Sequence, residues 1–156
     1  MLTEGTHVPH WLETVDDALE FVASRPGVDP ERVLLAGISL GGFLSLALAA
    51  QLSSAGSAFQ RRRIAALLDI SGGLVEPYAG LATRHMPPTL ILHGATDNIV
   101  PVSFAQDLER KLTKLGVSHR TEILPGEGHW FSAAALPRIL LAVSGFLQEQ
   151  LHVQPR

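Results

Sequence analysis

The chain contains an apolar run that ends in a serine between glycines, with the sequence RVLLAGISLGG at residues 32–42. Residues 32–38 are typical of a parallel strand that is buried on both faces. Residues 40–52 are apolar on nearly every side, which predicts a deeply buried helix. Ser39 therefore stands where a strand ends and a helix begins.

Strand and helix patterns alternate along the rest of the chain. Because parallel strands need crossover connections, which helices usually supply, this order predicts an α/β protein with a mostly parallel sheet of about four strands and helices on both faces. The 156 residues fit a single domain, 1–156. The other predicted strands are residues 64–70, 89–93 and 120–124, and the other predicted helices are residues 14–24, 102–115 and 136–151.

Composition excludes several functional classes. The formal net charge is −3, so the chain has no basic field that would collect nucleic acid. It contains 0 cysteines, which excludes a disulfide framework, a thiolate metal site and a cysteine nucleophile. We expect neither a metal nor a cofactor.

Hydropathy patterning gives no sign of membrane insertion or export. Residues 1–7 lack both the positive segment and the apolar segment of a secretory signal, so the expected location is the cytoplasm. The longest nearly unbroken apolar stretch, residues 43–50, is far shorter than the ~20 residues that span a bilayer. We therefore expect no membrane partner.

Residues 37–41 read G-x-S-x-G, a pattern that places a serine nucleophile on a strained turn between a strand and a helix. Gly37 and Gly41 are expected to remove the side chains that would collide across this turn. The dipole and unpaired N–H groups at the start of the helix would stabilise an oxyanion, and the N–H of Leu40 is the first candidate donor. The alternative is that Ser39 only caps the helix.

A serine hydroxyl is a poor nucleophile until a base accepts its proton, and the base needs an orienting carboxylate. Two later loops supply these groups, because Asp97 follows the strand at 89–93 and His129 follows the strand at 120–124. In an open parallel sheet, such loops meet at the carboxyl edge, where ligands bind. The predicted catalytic residues are therefore Ser39, Asp97 and His129.

Other polar residues have competing interpretations. Asp69, near the end of the second predicted strand, could be the acid in a variant arrangement. Glu127 is too close in sequence to His129 to orient its ring, and Asp107 is expected to be a solvated helix residue. His93 is expected to pack against, or bond to, the loop of the predicted acid.

Two groups of basic residues have no predicted catalytic role. His7 and His10 could bind a metal ion as a pair, but no further ligands are visible near them. The arginines at 61–63 precede a strand at the edge opposite the predicted site. We expect them to form a solvated patch.

These motifs resemble the α/β-hydrolase fold, and most closely its dienelactone hydrolase and carboxylesterase/phospholipase branch. The resemblance covers about residues 11–147 and implies a Ser39-His129-Asp97 triad without a cofactor. Dienelactone hydrolases proper carry a cysteine nucleophile, so a serine at position 39 points to the esterase members. The matching segments are VDPERV at 28–33, GISLGG at 37–42, PTLILHG at 88–94 and GEGHWF at 126–131.

The chain departs from this family at its amino-terminal side. Family members have several more strands before the nucleophile strand, and the loop after one of them supplies a second oxyanion N–H. Only about ten residues precede the first predicted helix here, so that loop is not visible. Because one oxyanion donor is worth ~10² to 10³ in rate, the resemblance implies a slow enzyme.

No cap domain is visible, because residues 71–88 are too few for a large lid. We therefore expect an open, shallow site that accepts small esters with short acyl chains. A thioester, a lysophospholipid or a peptide bond is an alternative substrate, and a catalytically idle scaffold for binding or assembly is an alternative role. Trp130 and Phe131 are equally interpretable as anchors of the last helix. The candidate substrate-wall residues are Leu74, Val75, Tyr78, Trp130 and Phe131.

The shortened amino-terminal side also bears on assembly. Without further strands, Arg32 to Ile38 becomes an edge whose unpaired backbone groups invite pairing. Charged residues make up 17% of the chain, where about 25% is usual, which also favours a covered surface. We expect a homodimer or larger homo-oligomer that covers this edge. The alternative is a fragment whose remainder is supplied elsewhere.

Overall fold

The computed structural model describes residues 7–54 and 64–151. Among these residues, four strands form one sheet, and four helices pack around it. The strands are β1 (Leu34–Ile38), β2 (Ala66–Ile70), β3 (Thr89–Gly94) and β4 (His119–Leu124), and the helices are α1 (Val8–Ala23), α2 (Leu40–Ser54), α3 (Ser103–Leu115) and α4 (Leu136–Leu151).

The sheet is parallel throughout, with its strands side by side in chain order. Gly37 of β1 lies opposite Asp69 of β2, and Asp69 lies opposite Ile91 of β3. All four strands therefore end at the same edge of the sheet. The predicted fold class, a four-stranded parallel α/β sheet, is confirmed.

Side chains alternate between two hydrophobic clusters, one on each face of the sheet. Leu67 and Ile91 belong to the larger cluster, which also contains the buried residues of α1, α2 and α3. Leu90 and Leu92 belong to the smaller cluster, where Phe146 of α4 packs. The prediction of helices on both faces is confirmed, with three helices on one face and α4 on the other.

The first helix is longer than its apolar pattern predicts. It begins at Val8 rather than at residue 14, and Pro9 lies in its first turn. A proline is tolerated there because the N–H that it lacks would have no partner within the helix. Val8 and Leu12 are buried in the larger cluster, and this packing extends the helix.

The other differences at element ends are small. β1 begins at Leu34, because a 3₁₀ turn at Pro30–Arg32 precedes it. The side chain of Asp29 starts that turn by accepting a hydrogen bond from the N–H of Glu31 at 3.0 Å. α3 ends at Leu115, where the sequence predicts the end of this helix, and Gly116 after it has a left-handed φ of 68°. The arginines at 61–63, predicted to form a solvated patch, lie outside the described residues.

β1 is an edge strand, since β2 is its one partner among the strands that the structure describes. Ile38 points away from α2 and is 51% exposed, and Ala36 beside it is also exposed. On the same face of the sheet, Leu140 and Leu141 of α4 lie open to solvent. None of the described helices is long and apolar enough to cross a bilayer.

We expect two copies of the chain to associate through β1, because its outer edge carries no charged side chain and has no partner strand in the described part of the chain, and a second copy presents the same edge. Ile38→Lys should therefore shift the protein to monomer by placing a charge on the edge. Phe21→Lys, at an exposed residue of α1, should leave association unchanged. Sedimentation velocity across a concentration series measures this. A monomeric wild-type protein at every concentration would exclude the association.

Candidate active site

Ser39 occupies the sharp turn between β1 and α2 in a left-handed conformation, with φ of 53°. Such a conformation costs a residue with a side chain on the order of 1 to 3 kcal/mol. The turn is held by the Ser39 N–H, which donates to the carbonyl oxygen of Ile70 at 2.8 Å. The Ser39 carbonyl in turn accepts the N–H of Phe43 at 3.1 Å, within α2. The predicted strained strand-to-helix turn is therefore present.

The two glycines of the G-x-S-x-G pattern have different roles. A Cβ atom on Gly37 would collide with the backbone of Gly41 and Gly42, so no side chain fits at position 37. A Cβ atom on Gly41 would meet no atom within 4 Å. The expectation that Gly41 removes a collision is therefore wrong, because α2 turns position 41 toward open space.

Asp97 and His129 meet in a direct hydrogen bond, 2.8 Å between Oδ2 of the carboxylate and Nδ1 of the ring. Both residues are buried, with 8% and 5% exposed. The other carboxylate oxygen of Asp97 accepts the N–H groups of Ile99 at 2.9 Å and Val100 at 2.8 Å. The loop after β3 thus fixes the direction in which the carboxylate presents its second oxygen.

Opposing effects act on the ionisation of Asp97. Burial raises the pKa of this carboxyl group, but the N–H groups of Val100 and Ile99 and the ring of His129 together outweigh burial and lower the pKa below its usual value. The group is therefore a carboxylate at neutral pH. A carboxylate only accepts hydrogen bonds, so Nδ1 of His129 carries the proton and Nε2 is left to act as a base.

Backbone contacts hold the two loops together. The N–H and the hydroxyl of Thr96 both donate to the carbonyl oxygen of Glu127 at 2.9 Å. A Cβ atom on Gly94 would collide with the carbonyl groups of Glu127 and Gly128, so the loops approach as closely as a glycine allows. This close approach sets the distance at which Asp97 and His129 bond.

Ser71 links the end of β2 to the imidazole loop. Its hydroxyl donates to the carbonyl oxygen of His129 at 3.2 Å, and its own φ is 51°. The residue before it, Ile70, accepts the N–H of Ser39. Ser39 and His129 are thus both attached to the end of β2. Sequence reasoning missed Ser71, whose signal is its place directly after a buried strand.

The structure joins two of the three predicted catalytic residues directly and places the third at the same edge. Asp97 bonds to His129, whereas the hydroxyl of Ser39 makes no hydrogen bond to His129 in this arrangement. Hydrogen bonds between a nucleophile and its base are often long in ligand-free enzymes and shorten when substrate binds. Leu40 begins α2, so its N–H lacks a partner within the helix and is available to an oxyanion.

The competing acidic residues are engaged elsewhere or buried alone. Glu127 accepts both the N–H of Ser132 at 2.6 Å and its hydroxyl at 2.7 Å. Asp107 is exposed and pairs with Arg110 on α3. Asp69 is buried, and neither of its carboxyl oxygens has a hydrogen-bond partner among the described residues. None of these three contacts His129.

The other histidines also have identifiable surroundings. His93 is fully buried, with Nε2 2.9 Å from the carbonyl oxygen of Val100 and 3.4 Å from Oδ2 of Asp97. It therefore bonds to the acid loop as expected. His10 pairs with Glu13 at 3.2 Å. Within residues 7–54 and 64–151, no cluster of three or more histidine or acidic side chains has the spacing of a metal site.

The predicted substrate-wall residues differ in exposure. Trp130 is 71% exposed. Its ring packs edge to face with the ring of His129, with ring centroids 5.0 Å apart. Phe131 packs against the cluster beneath α4, whereas Leu74 and Tyr78 pack against the cluster beneath α1, α2 and α3. The wall role of these residues and of half-buried Val75 remains a prediction.

Two aromatic residues beside the site were not identified from the sequence. Phe43 and Phe104 pack edge to face, with ring centroids 5.5 Å apart. A Cβ atom on Gly73 would lie 2.8 Å from Cβ of Phe104, so the loop after β2 presses against the same pair. Phe43 lies one helical turn after Ser39, and this spacing is the signal that could have identified it.

Solved structures share this architecture at low sequence identity. Esterase PE8 aligns with a TM-score of 0.72 and 24% identity over 96% of this chain and 67% of that one. The carboxylesterase Cest-2923 from Lactobacillus plantarum aligns with a TM-score of 0.75 and 17% identity over 99% and 73%. Esterase 2 of Thermogutta terrifontis aligns with a TM-score of 0.77 and 20% identity over 99% and 68%. The fold is therefore that of an α/β hydrolase.

The sequence narrows this class to one family. The family model described as the dienelactone hydrolase family matches residues 2–138, and the chain belongs to that family. Acyl-protein thioesterase 1 of Gibberella zeae is 29% identical over 131 residues, or 80% of this chain. Lysophospholipase-like protein 1 of Mus musculus is 25% identical over 142 residues, or 84% of this chain. The chain spans about half the length of these curated relatives, 51% and 56%.

The contrast between the two glycines gives a matched pair of variants. Gly37→Ala should lower the free energy of unfolding by about 1 to 3 kcal/mol, because its Cβ atom must displace backbone. Gly41→Ala should leave stability unchanged or slightly raised, because alanine favours a helix and finds open space. Thermal melting measures both, at roughly 2 to 4 °C per kcal/mol. Equal melting temperatures for the two variants would contradict the described turn.

Proposed function

We propose that the protein is a serine esterase that cleaves small esters with short acyl chains through an acyl-enzyme. The observation that carries this proposal is the buried hydrogen bond between Asp97 and His129, at the same sheet edge as the strained turn of Ser39. A neutral imidazole held by a carboxylate is the base that a serine nucleophile requires. Membership of the dienelactone hydrolase family supports the same chemistry.

In the proposed mechanism, Ser39 Oγ attacks the ester carbonyl while Nε2 of His129 accepts its proton. The tetrahedral intermediate collapses when the C–O bond to the alcohol breaks and Nε2 returns the proton to the leaving oxygen. Water then attacks the acyl-enzyme by the same route, which releases the acid and restores Ser39. Asp97 stabilises the imidazolium formed in both steps without accepting its proton.

The oxyanion receives one donor from the first residue of α2. The N–H of Leu40 follows Ser39 directly and lies at the positive end of the helix dipole. A second donor would come from a segment that precedes the nucleophile strand in relatives. One oxyanion donor is worth ~10² to 10³ in rate, so the N–H of Leu40 alone would support a slower reaction than two donors would.

The surroundings of the site favour small, accessible substrates. Ile99, Leu40 and Trp130 are exposed apolar side chains within two residues of the three proposed catalytic groups. The described residues between β2 and β3 form a single short 3₁₀ turn, Tyr78–Leu81, and no large lid. An open apolar rim of this kind suits a short acyl chain and leaves the alcohol portion in solvent.

Thioester or lysophospholipid cleavage is the second candidate. It is favoured by the similarity to acyl-protein thioesterase 1 and lysophospholipase-like protein 1. The same triad would perform either reaction, since an acyl-enzyme forms in both. Rates with acyl thioesters, lysophosphatidylcholine and p-nitrophenyl esters of increasing chain length distinguish these substrates from short-chain esters.

Removing the proposed nucleophile tests the enzyme against the catalytically idle scaffold. Ser39→Ala should lower kcat for p-nitrophenyl acetate and butyrate by orders of magnitude, up to the ~10⁶ seen when a serine hydrolase loses its nucleophile. Ser144→Ala, at an exposed serine of α4, is the control and should keep the wild-type rate. Equal rates for wild type and Ser39→Ala would favour the scaffold.

The acid is tested separately. Asp97→Asn should lower kcat by up to ~10⁴, as in serine proteases, because an amide in this position favours the wrong imidazole tautomer. Asp107→Asn, at an exposed aspartate of α3, provides the matched control. Initial rates at saturating p-nitrophenyl butyrate measure the effect. A full rate for Asp97→Asn would remove this carboxylate from the mechanism.

A further inference from the structure

Asp69 is a buried carboxyl group that the proposed mechanism does not use. It lies on β2 between Gly37 of β1 and Ile91 of β3, and only 1% of it is exposed. Its side chain points to the face of the sheet that α2 covers, because its carboxyl oxygen lies against Gly42. A carboxyl group in the middle of a core costs free energy, so its position needs a physical reason.

The carboxyl group fits a space between two glycines. Cβ atoms on Gly42, in the first turn of α2, or on Gly72, in the loop after β2, would both collide with Oδ1 of Asp69. A Cβ atom on Gly72 would also lie 3.0 Å from the Cα of Gly42. Oδ1 of Asp69 therefore fills the gap between the start of α2 and the chain that leaves β2.

The elements around Asp69 bring almost no charge toward it. β1 and α2 contain no titratable side chain, and β3 contains one, His93. The Nε2 of His93 is already directed to the carbonyl oxygen of Val100 and the carboxylate of Asp97. Burial accordingly raises the pKa of Asp69 to about 8. The group is uncharged at neutral pH.

The gap that Asp69 fills adjoins the Ser39 turn. Gly42 lies three residues after Ser39, and Ile70, which accepts the Ser39 N–H, is the next residue after Asp69. A charge on this carboxyl group would need water or new hydrogen-bond donors. Asp69 is closely packed between β1 and β3 within the sheet. Water or new donors could therefore reach its carboxyl group only if the first turn of α2 moved.

We propose that Asp69 is a positioning residue for the Ser39 turn: its uncharged carboxyl group seats the start of α2 against the end of β2, and its ionisation in alkaline solution displaces that start and slows ester hydrolysis. The effect on hydrolysis rests on the proposed esterase function. The effect on the helix start does not.

The sign of the effect on stability follows from the two states. The pKa of Asp69 in the folded chain is about 8, whereas an unfolded aspartate has a pKa of roughly 3.9. The folded chain therefore holds a proton that the unfolded chain releases. The stability contributed by the uncharged group is complete below about pH 4 and is lost as the pH rises toward 8.

Asp69→Asn tests the proposal, because an amide has the same shape and does not ionise. We expect kcat/KM within a few-fold of wild type at pH 7. Above about pH 8, the wild-type value should fall and that of Asp69→Asn should not. Asp107→Asn serves as control and should retain the wild-type decline. Parallel pH profiles for wild type and Asp69→Asn, or a variant that is inactive at every pH, would overturn the proposal.

A second measurement separates this proposal from the esterase assignment and needs only wild-type protein. In ¹H–¹⁵N spectra, the amides of Leu40, Gly41 and Gly42 should shift with a common midpoint near the titration of the ¹³Cγ of Asp69. If these signals shift together while no ester is cleaved, the esterase assignment is wrong and the coupling stands. If the amides do not follow the carboxyl titration, the coupling is wrong, whatever the enzymatic rate.

Discussion

The hydrogen bond from the N–H of Ser39 to the carbonyl oxygen of Ile70 joins a strained turn to the centre of the sheet. It continues the ladder between β1 and β2 for one residue beyond the strand, into a left-handed conformation that a side chain disfavours. The backbone of Gly37 lies so close to the start of α2 that a Cβ atom at position 37 would collide with it, so the turn is as tight as a glycine allows. The serine hydroxyl is thereby directed out of the sheet at the edge where the other loops meet.

The acid and base of the proposed site are positioned by backbone more than by side chains. N–H groups of the acid loop hold Asp97, the hydroxyl of Ser71 holds the His129 loop by donating to the His129 carbonyl oxygen, and Thr96 joins the two loops. Although burial raises the pKa of Asp97, the N–H groups of Val100 and Ile99 and the ring of His129 together lower it, so the carboxylate stays ionised. Within residues 7–54 and 64–151, Asp69 has no such donors, and burial moves its pKa in the opposite direction. Asp97 is thus suited to orient the imidazole as a carboxylate, whereas Asp69 is suited to remain an uncharged carboxyl group at neutral pH.

Two apolar surfaces of the described residues are open to solvent on one face of the sheet. The chain spans about half of its curated relatives and about two thirds of the related esterase structures. The edge of β1 and the exposed leucines of α4 lie on the face that one helix alone covers among the described residues. The proposed association of two copies through β1 would cover part of this face.

The sequence by itself determined the order of elements and the identity of the candidate groups. Apolar runs of strand length alternate with helical patterns, and this local periodicity predicted the four parallel strands and the end of α3 at Leu115. The loops that carry Ser39, Asp97 and His129 could be placed at one edge because parallel strands all end on the same side. These features follow from spacing along the chain and from the topology of a parallel sheet.

Tertiary structure decided what depends on packing between distant segments. It alone showed that a Cβ atom on Gly37 would collide with backbone, whereas one on Gly41 would enter open space. It also showed that α1 starts at Val8, because that residue is buried. The pairing of Phe43 with Phe104 and the isolation of Asp69 likewise join residues far apart in sequence. Spacing reports which face a side chain occupies, but contact with atoms of another element depends on distances that no local pattern encodes.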